Sequence, residues 1–469
     1  MPPINISYSA NKRSIGAFPE LVQLNMVAER TPTQIERPVA LVARPGLKPF
    51  TTVGQGPVRG IYQKAGLFGG DAIIVSGTQV FRVAANGTVV PLTGTVPGRN
   101  RVKIDLGRDE NGEDVGRIAT GAGLFVISGS TVTEEDFPSA TRLGCADILE
   151  HRSFWVAIVN GTDRVYYIVP GTSTWNALDF ADAEYEPDKL VALDSVGDVM
   201  MFMGDTTVEG WALTGDSNNP IQPAGGVAYD MGCRARDSVS AIGNVLFWVD
   251  ERCNVRMSNG GPPAVISDSA LSEQIRLYPA DKLRAWTFGL DGHLYYVLTT
   301  SGATWVYDVS AETWARFESK GYGFWRAHLG TDVSGVVLAT DALPGSNKVW
   351  LVDPARATDE TDEITCAFTG MLEAPEGRAS ISNVVLACAT GFSPRSGQGS
   401  APVWAMRYSD DQAATWSPWQ YASVGATGKH KAEVRWNRLG QVSPPGRFFQ
   451  LRCTDPVTRR VSDFRANVP

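Results

Sequence analysis

Leu294-Tyr295-Tyr296-Val297-Leu298, just after the turn pair Asp291-Gly292, decides the fold, because runs of its kind recur along the chain. Ala72-Ile73-Ile74-Val75, Leu124-Phe125-Val126-Ile127, Phe154-Trp155-Val156-Ala157-Ile158, Val199-Met200-Met201-Phe202, Val245-Leu246-Phe247-Trp248-Val249 and Val336-Val337-Leu338 repeat it. Successive first positions lie 52, 30, 45, 46, 49 and 42 residues apart, averaging 44, which matches the roughly 40 to 50 residues of a four-stranded propeller blade. Between the runs, Asn86-Gly87, Asn111-Gly112, Asn160-Gly161, Asn259-Gly260 and Asp291-Gly292 are dipeptides that accept positive φ in tight hairpin turns. Strands apolar on both faces cannot stand alone, and stacking them around a ring buries both faces.

Length points the same way. A single core stops growing near roughly 250 to 300 residues, so 469 residues must divide into domains or repeat a unit. From Arg59 to Val352 there is room for seven blades of 42 residues or six of 49. The spacings are irregular around Leu124, where the acidic run Asp105-Leu106-Gly107-Arg108-Asp109-Glu110-Asn111-Gly112-Glu113-Asp114 either extends a loop or separates two incomplete blades. Residues 1–58 read differently: Pro19, Pro32, Pro38, Pro45, Pro49 and Pro57 break every candidate helix and impose extended backbone before them. They predict an extended N-terminal arm, with a strand that closes the last blade as the alternative. Residues 59–353 are then the β-propeller and 354–363 a polar, acidic linker. Residues 364–469 are expected to form an antiparallel β-sandwich, from strands at Ile364 to Phe368, Ser380 to Cys388, Val403 to Tyr408, Lys431 to Trp436 and Phe448 to Cys453. Within it, Gly391 to Pro402 is rich in Gly, Ser and Pro and reads as a mobile loop. The expected fold class is all-β: a six- or seven-bladed propeller with an arm and a C-terminal sandwich.

Composition excludes several function classes. No stretch of 18 apolar residues occurs, so no membrane-spanning helix is expected. The start, Met1-Pro2-Pro3-Ile4-Asn5-Ile6, lacks the basic and apolar regions of a signal peptide. A net charge of −8 disfavours a surface that grips nucleic acid, without disfavouring one past which DNA slides. Six scattered cysteines, Cys145, Cys233, Cys253, Cys366, Cys388 and Cys453, form no C-x-x-C pair and read as reduced, buried thiols of a protein assembled in cytoplasm.

The chain carries little that resembles catalytic machinery. His151, His293, His328 and His430 share no metal-ligand spacing, and phosphate-loop, nucleophile-elbow and dinucleotide motifs are lacking. The acidic run lacks EF-hand ligands, since Gly107 and Ile118 fill the first and last ligand positions, and reads as a solvated loop. Asn86-Gly87-Thr88 and Asn160-Gly161-Thr162 fit the glycan-acceptor pattern but coincide with hairpin turns. Catalytic, metal and cofactor residues are therefore all expected to be none. Ser409-Asp410-Asp411-Gln412-Ala413-Ala414-Thr415-Trp416 resembles the Asp-box hairpin of sialidases and other β proteins, with Ala413 replacing the usual Gly. In that motif Ser409 and Asp411 bond turn amides beside Thr415, and Trp416 packs beneath the hairpin, a structural role.

Both ends of the chain resemble one family. Trp436-Asn437-Arg438-Leu439-Gly440 followed by Phe448-Phe449-Gln450-Leu451-Arg452 is similar to the closing segment of the packaged-DNA stabilisation (tail hub) proteins of short-tailed phages. Leu24-Asn25-Met26, Thr31-Pro32, Arg44-Pro45-Gly46 and Val58-Arg59-Gly60 are similar to their N-terminal stretch. The resemblance implies that Trp436, Arg438 and Gly440 shape a strand and turn of the sandwich, with Trp buried and Arg paired to a carboxylate or carbonyl, or else serve an intersubunit contact. It implies that Leu24, Asn25, Pro45 and Gly46 seat the arm on the propeller or a neighbour. It further implies a virion protein, a homo-hexameric ring below the portal and its adaptor ring. Such a ring would continue the channel for duplex DNA and carry the tail needle or plug and the tailspikes or fibres. The competing reading is a soluble glycan-binding or sialidase-like propeller.

Overall fold

The computed structural model describes residues 3–7, 9–10, 21–30, 39–138, 143–183, 185–186, 188–374 and 377–468. Pro19, Thr31, Pro32 and Pro38 lie outside them. Six four-stranded antiparallel sheets follow one another along the chain, at 58–91, 103–135, 145–182, 190–229, 240–265 and 284–317. The seventh sheet takes three strands in sequence, Ala327–Val333, Val336–Asp341 and Lys348–Asp353, and a fourth from far upstream, Gly46–Thr52. The first strand of each sheet touches the first strand of the next, and that of the seventh returns to Val58–Tyr62, so the circle closes. The propeller has seven blades.

Six of the seven apolar runs are the second strands of their blades. Leu124–Ser128 is a third strand, and the second strand of that blade is Asp114–Ala119. Counted from Asp114, the two irregular intervals become 42 and 40 residues, so the repeat was regular throughout. The acidic run is correspondingly no loop. Lys103–Arg108 is the innermost strand of the second blade, with Asp105 buried and accepting the Leu106 and Glu150 amides at 2.7 and 2.6 Å. Only 109–113 turns in solvent, where Asp109 caps the Asn111 and Glu113 amides at 2.9 and 2.8 Å.

The first 58 residues do not form one arm. Met26–Arg30 and Val39–Ala43 make a hairpin inside the sandwich, in a sheet ordered Met26–Arg30, Val39–Ala43, Arg460–Asn467, Ala379–Cys388, Val434–Val442. Asn5–Ile6 pairs with Cys366–Glu373 in the opposite sheet, which continues through Gly446–Cys453, Val403–Ser409 and Gln420–Ser423. Gly46–Thr52 belongs to the propeller. Extended backbone enforced by proline is also strand backbone, and Met26, Ala28, Leu41 and Leu47 have apolar side chains that two cores take up. Residues 354–363 are not a free linker either: Thr358–Asp359 and Asp362–Glu363 extend the seventh sheet beyond Gly46–Thr52.

Between the sandwich sheets, Phe368, Trp404, Met406, Phe449 and Leu451 meet Leu41, Val384, Leu386, Trp436 and Phe464. The loop at 391–402 contains no strand or helix and is tied by Thr427, whose hydroxyl donates to the Ser393 carbonyl at 2.7 Å. All six cysteines are free, five are buried, and burial pushes the Cys233, Cys388 and Cys453 thiols up to about 12. Among the described residues the only α-helix, Ser269–Arg276, is capped by Asp268 and inserted between the fifth and sixth blades. No helix there is long and apolar enough to cross a membrane.

Leu47 sits in the closing strand with no exposure, packed among Trp350, Phe317 and Trp325. Leu47→Ala is expected to lower the unfolding free energy by about 2–5 kcal/mol, read from denaturant unfolding. A loss within error would show that the closing strand contributes little to the ring.

Candidate functional site at the junction of the two domains

Four of the residues singled out in the sequence converge where propeller and sandwich meet. Leu24 pairs by its backbone with Arg316 on the outer strand of the sixth blade and with Ala367 in the sandwich, so it joins two sheets into one. The next residue, Asn25, turns the chain at φ 55°, a left-handed conformation that Asn tolerates better than most residues. Its buried carboxamide is fully used. Nδ2 donates to the Glu318 and Thr365 carbonyls at 3.0 and 2.8 Å, and Oδ1 accepts from the Glu318 amide and from Arg44 Nε, both at 2.8 Å.

Arg44 completes the arrangement. Its side chain has no exposure, and all five N–H groups are satisfied. Besides Nε to Asn25, its terminal nitrogens donate to both Asp359 carboxylate oxygens at 2.9 and 2.7 Å and to the Pro45 and Glu318 carbonyls at 2.8 and 2.9 Å. Phe317 and Trp325 face the guanidinium, their centroids 5.8 and 5.5 Å away. Ser319 donates its hydroxyl to Asp359 at 2.5 Å. Gly46 follows under steric constraint, since a Cβ there would stand 2.4 Å from the Thr358 carbonyl oxygen and 2.7 Å from that of Arg356. Leu24, Asn25, Pro45 and Gly46 are thus one cluster built around Arg44 and Asp359, neither of which was a candidate. An arginine beside Pro-Gly was the available signal for Arg44; Asp359 was hidden among linker acids.

The C-terminal residues form a second cluster. Trp436 is buried and donates from Nε1 to the Gln420 carbonyl of the opposing sheet at 3.1 Å. Beyond it the register slips: Asn437 faces Asn383 but Gly440 faces Ile381, so Arg438 and Leu439 bulge opposite Ser382. Arg438 (φ 60°) and Gly440 (φ 76°) supply the left-handed backbone of the bulge. The Arg438 side chain is exposed and has no carboxylate or carbonyl partner among the described residues, against expectation, because the bulge turns it outward. A different arginine does that work. Buried Arg447 donates to the Leu439 and Gln441 carbonyls at 2.5 and 2.9 Å and makes a two-pronged pair with Asp410 at 2.6 and 2.8 Å.

Asp410 belongs to the Asp-box-like hairpin, so Arg447 links that motif to the bulge. In the hairpin Ser409 Oγ donates to Asp411 at 2.6 Å and accepts the Ala413 amide at 2.9 Å, while Asp411 accepts the Thr415 amide at 2.8 Å and its hydroxyl. These bonds, chiefly from the Ser409 and Thr415 side chains, lower the Asp411 carboxyl to about 2. A carboxyl depressed on folding stabilises the hairpin above its ordinary range, and that contribution is lost as pH falls through about 2. Trp416 is half-buried, its ring 4.7 Å from the Arg407 guanidinium.

The central channel is a cavity of about 500 Å³ lined by all seven inner strands. Charges that line it pair across blades: Lys64 with Asp105 and Glu150, and Lys103 with Asp194 at 3.6 Å. Burial, then the nearby Arg101 and Arg284, lower the His328 imidazole to about 3, so it is neutral at pH 7. Among the described residues no group of three His, Cys, Asp or Glu is placed to hold a metal.

Asp359→Ala leaves the Arg44 charge buried without its partner and is expected to cost about 3–5 kcal/mol, whereas a joint apolar replacement, R44M with D359L, should cost far less. Denaturant unfolding of the three variants separates a charge left unpaired from a general packing defect. Ala413 stands at φ 68°, so Ala413→Gly should raise stability by about 1 kcal/mol; a drop in midpoint would show that the methyl group is needed.

A family model described as Bacteriophage P22 Gp10, beta-propeller, matches residues 4–341, and one described as Bacteriophage P22 Gp10, beta-sandwich, matches 365–469. No curated protein matches. Among solved structures, the chain is similar to the computationally designed Ika8 protein, at 12% identity over 65% of this chain and 100% of that one, with a TM-score of 0.37. It is similar to an exo-beta-1,3-galactanase from Phanerochaete chrysosporium, at 8% identity over 82% and 98%, with a TM-score of 0.27. An extracellular domain from B. thetaiotaomicron shows 7% identity over 87% and 61%, with a TM-score of 0.44. With one family's propeller and sandwich models together spanning nearly its whole length, the chain belongs to the bacteriophage P22 Gp10 family, the packaged-DNA stabilisation or tail hub proteins of short-tailed phages, and is a structural protein of the virion tail.

Proposed function

We propose that six copies form the hub ring below the portal and its adaptor ring, continuing the DNA channel, helping to retain the genome and anchoring the needle or plug and the tailspikes. Membership of the P22 Gp10 family over both domains is the observation that carries this reading. The junction supports it: a part that joins other components must hold its shape, and Arg44 ties sandwich, sixth blade and seventh blade through one buried side chain.

In this reading DNA does not pass through the propeller. The channel of one chain has the volume of a small-molecule pocket, and ion pairs cross it. The conduit is the axis of the ring, between copies. Six chains at −8 each carry −48, and an acidic lumen repels duplex DNA so that it slides. Retention then comes from closure by a plug, with no sequence-specific binding. The protein performs no catalysis, folds and assembles in the host cytoplasm with reduced thiols, and acts by shape.

Light scattering and cryo-microscopy of the purified protein mixed with the adaptor ring are expected to give a six-fold assembly with an acidic lumen. A chain that stays monomeric, ignores the adaptor and binds or cleaves oligosaccharides would replace this reading with the glycan-directed one. A basic lumen would remove the sliding argument alone.

A further inference from the structure

The outer face of one sandwich sheet bears two arginines on neighbouring strands. In Val403–Ser409 and Gly446–Cys453, Arg407 lies opposite Gln450, and Arg452 lies opposite Ala405. Alternation sends Trp404, Met406, Phe449 and Leu451 into the sandwich core. Arg407, Gln450 and Arg452 therefore share the other face. There they line a cleft of about 290 Å³ together with Gln23 and with Trp305 and Arg316 of the sixth blade, Arg316 lying 3.7 Å from the Glu318 carboxylate.

Arg44, Arg117, Arg326 and Arg447 each hold a carboxylate. Arg407 and Arg452 hold none among the described residues, although they are diagonal neighbours on adjacent strands, where like charges repel. Partial burial, and then the charge of Arg452, pull the Arg407 guanidinium below its ordinary value. Instead of swinging apart, both are held in place. Arg407 lies 4.7 Å from the centroids of Trp416 and Trp419, Arg452 lies 4.1 Å from that of Trp419, and Arg407 Nε donates to Gln450 at 2.6 Å. Two cations fixed side by side, with no carboxylate bonded to either among the described residues, form a receptor whose ordering cost is met before a ligand arrives.

Diagonal positions on adjacent strands stand roughly 7–8 Å apart, about the separation of alternate side chains along an extended chain, so the two guanidinium groups match two acidic side chains of one peptide segment. Stacking of bases or sugar rings calls for free aromatic faces, and guanidinium groups cover these indoles. We propose that this cleft binds an acidic peptide segment, with its side-chain carboxylates on Arg407 and Arg452. The site lies within one chain and does not depend on the hub reading.

Tryptophan fluorescence and calorimetry at low salt, with capped hexaglutamate as the probe, test it. Hexaglutamate is expected to bind and to weaken as salt rises, with capped hexaglutamine and inorganic phosphate at least tenfold weaker. R407Q/R452Q should lose at least tenfold in hexaglutamate affinity at an unchanged melting temperature, and Arg452→Lys should retain part of it. The idea is overturned if wild-type protein does not bind hexaglutamate, if hexaglutamine or phosphate binds as well, if an acidic oligosaccharide binds better, or if R407Q/R452Q binds hexaglutamate unchanged. Should the double variant fail to fold, the wild-type comparison of the probes still decides.

Discussion

Five N–H groups on one buried guanidinium fix how this molecule's two domains meet. Arg44 follows the sandwich hairpin directly and precedes the strand that closes the propeller, and its bonds to Asp359 and Glu318 reach from the sandwich side to the seventh and sixth blades. A buried charge this deep is tolerated only when fully compensated. Asp359, Asn25 and the Glu318 and Pro45 carbonyls provide that compensation. Such a pair is weak evidence for stability, because well-packed apolar side chains can do as well. Its value is geometric: a planar fork with fixed donor directions accepts one arrangement of its partners.

The path of the chain explains why this point matters. Starting in the sandwich, the backbone crosses to the seventh blade, runs round the ring, returns to that blade and re-enters the sandwich at Cys366. Both crossings meet at the same place, since Thr358–Asp359 pairs with Gly46–Thr52 beside Arg44. Arg447 repeats the device on a smaller scale, holding the 438–440 bulge against the Asp-box-like hairpin. In each case apolar stacking supplies the bulk of the cohesion, and a satisfied arginine selects the register.

How much of this was legible follows from sequence distance. Second strands of blades stood out because they are buried on both faces and read as unbroken apolar runs. Asp114-Val115-Gly116-Arg117-Ile118-Ala119 escaped notice because Gly116 and Arg117 interrupt its run, Arg117 being buried against Trp155 and paired with Glu135. Asp105 looked like a solvated acid because the Glu150 amide that it accepts lies 45 residues away. An arm and a strand closing the last blade both fit residues 1–58 for the same reason, since proline announces extended backbone but says nothing of its partner, and Gly46–Thr52 is that closing strand. Leu47 pairs with Val352, and Leu24 with Ala367, across more than 300 residues. Local pattern revealed the four junction residues only through their likeness to a family; that they converge on Arg44 is a property of the fold.

The division at residues 354–363 is therefore one of sequence and not of structure. A sandwich without Met26–Arg30 and Val39–Ala43 would expose the Arg460–Asn467 edge that Val39–Ala43 covers, and unpaired edges invite association with other chains. A ring without Gly46–Thr52 would leave its seventh sheet one strand short beside the first blade. The sandwich hairpin and the strand that closes the propeller are thus consecutive in the chain and meet at Arg44. A tilt of one domain against the other would break hydrogen bonds of the buried arginine, whose five donors are all used at this junction.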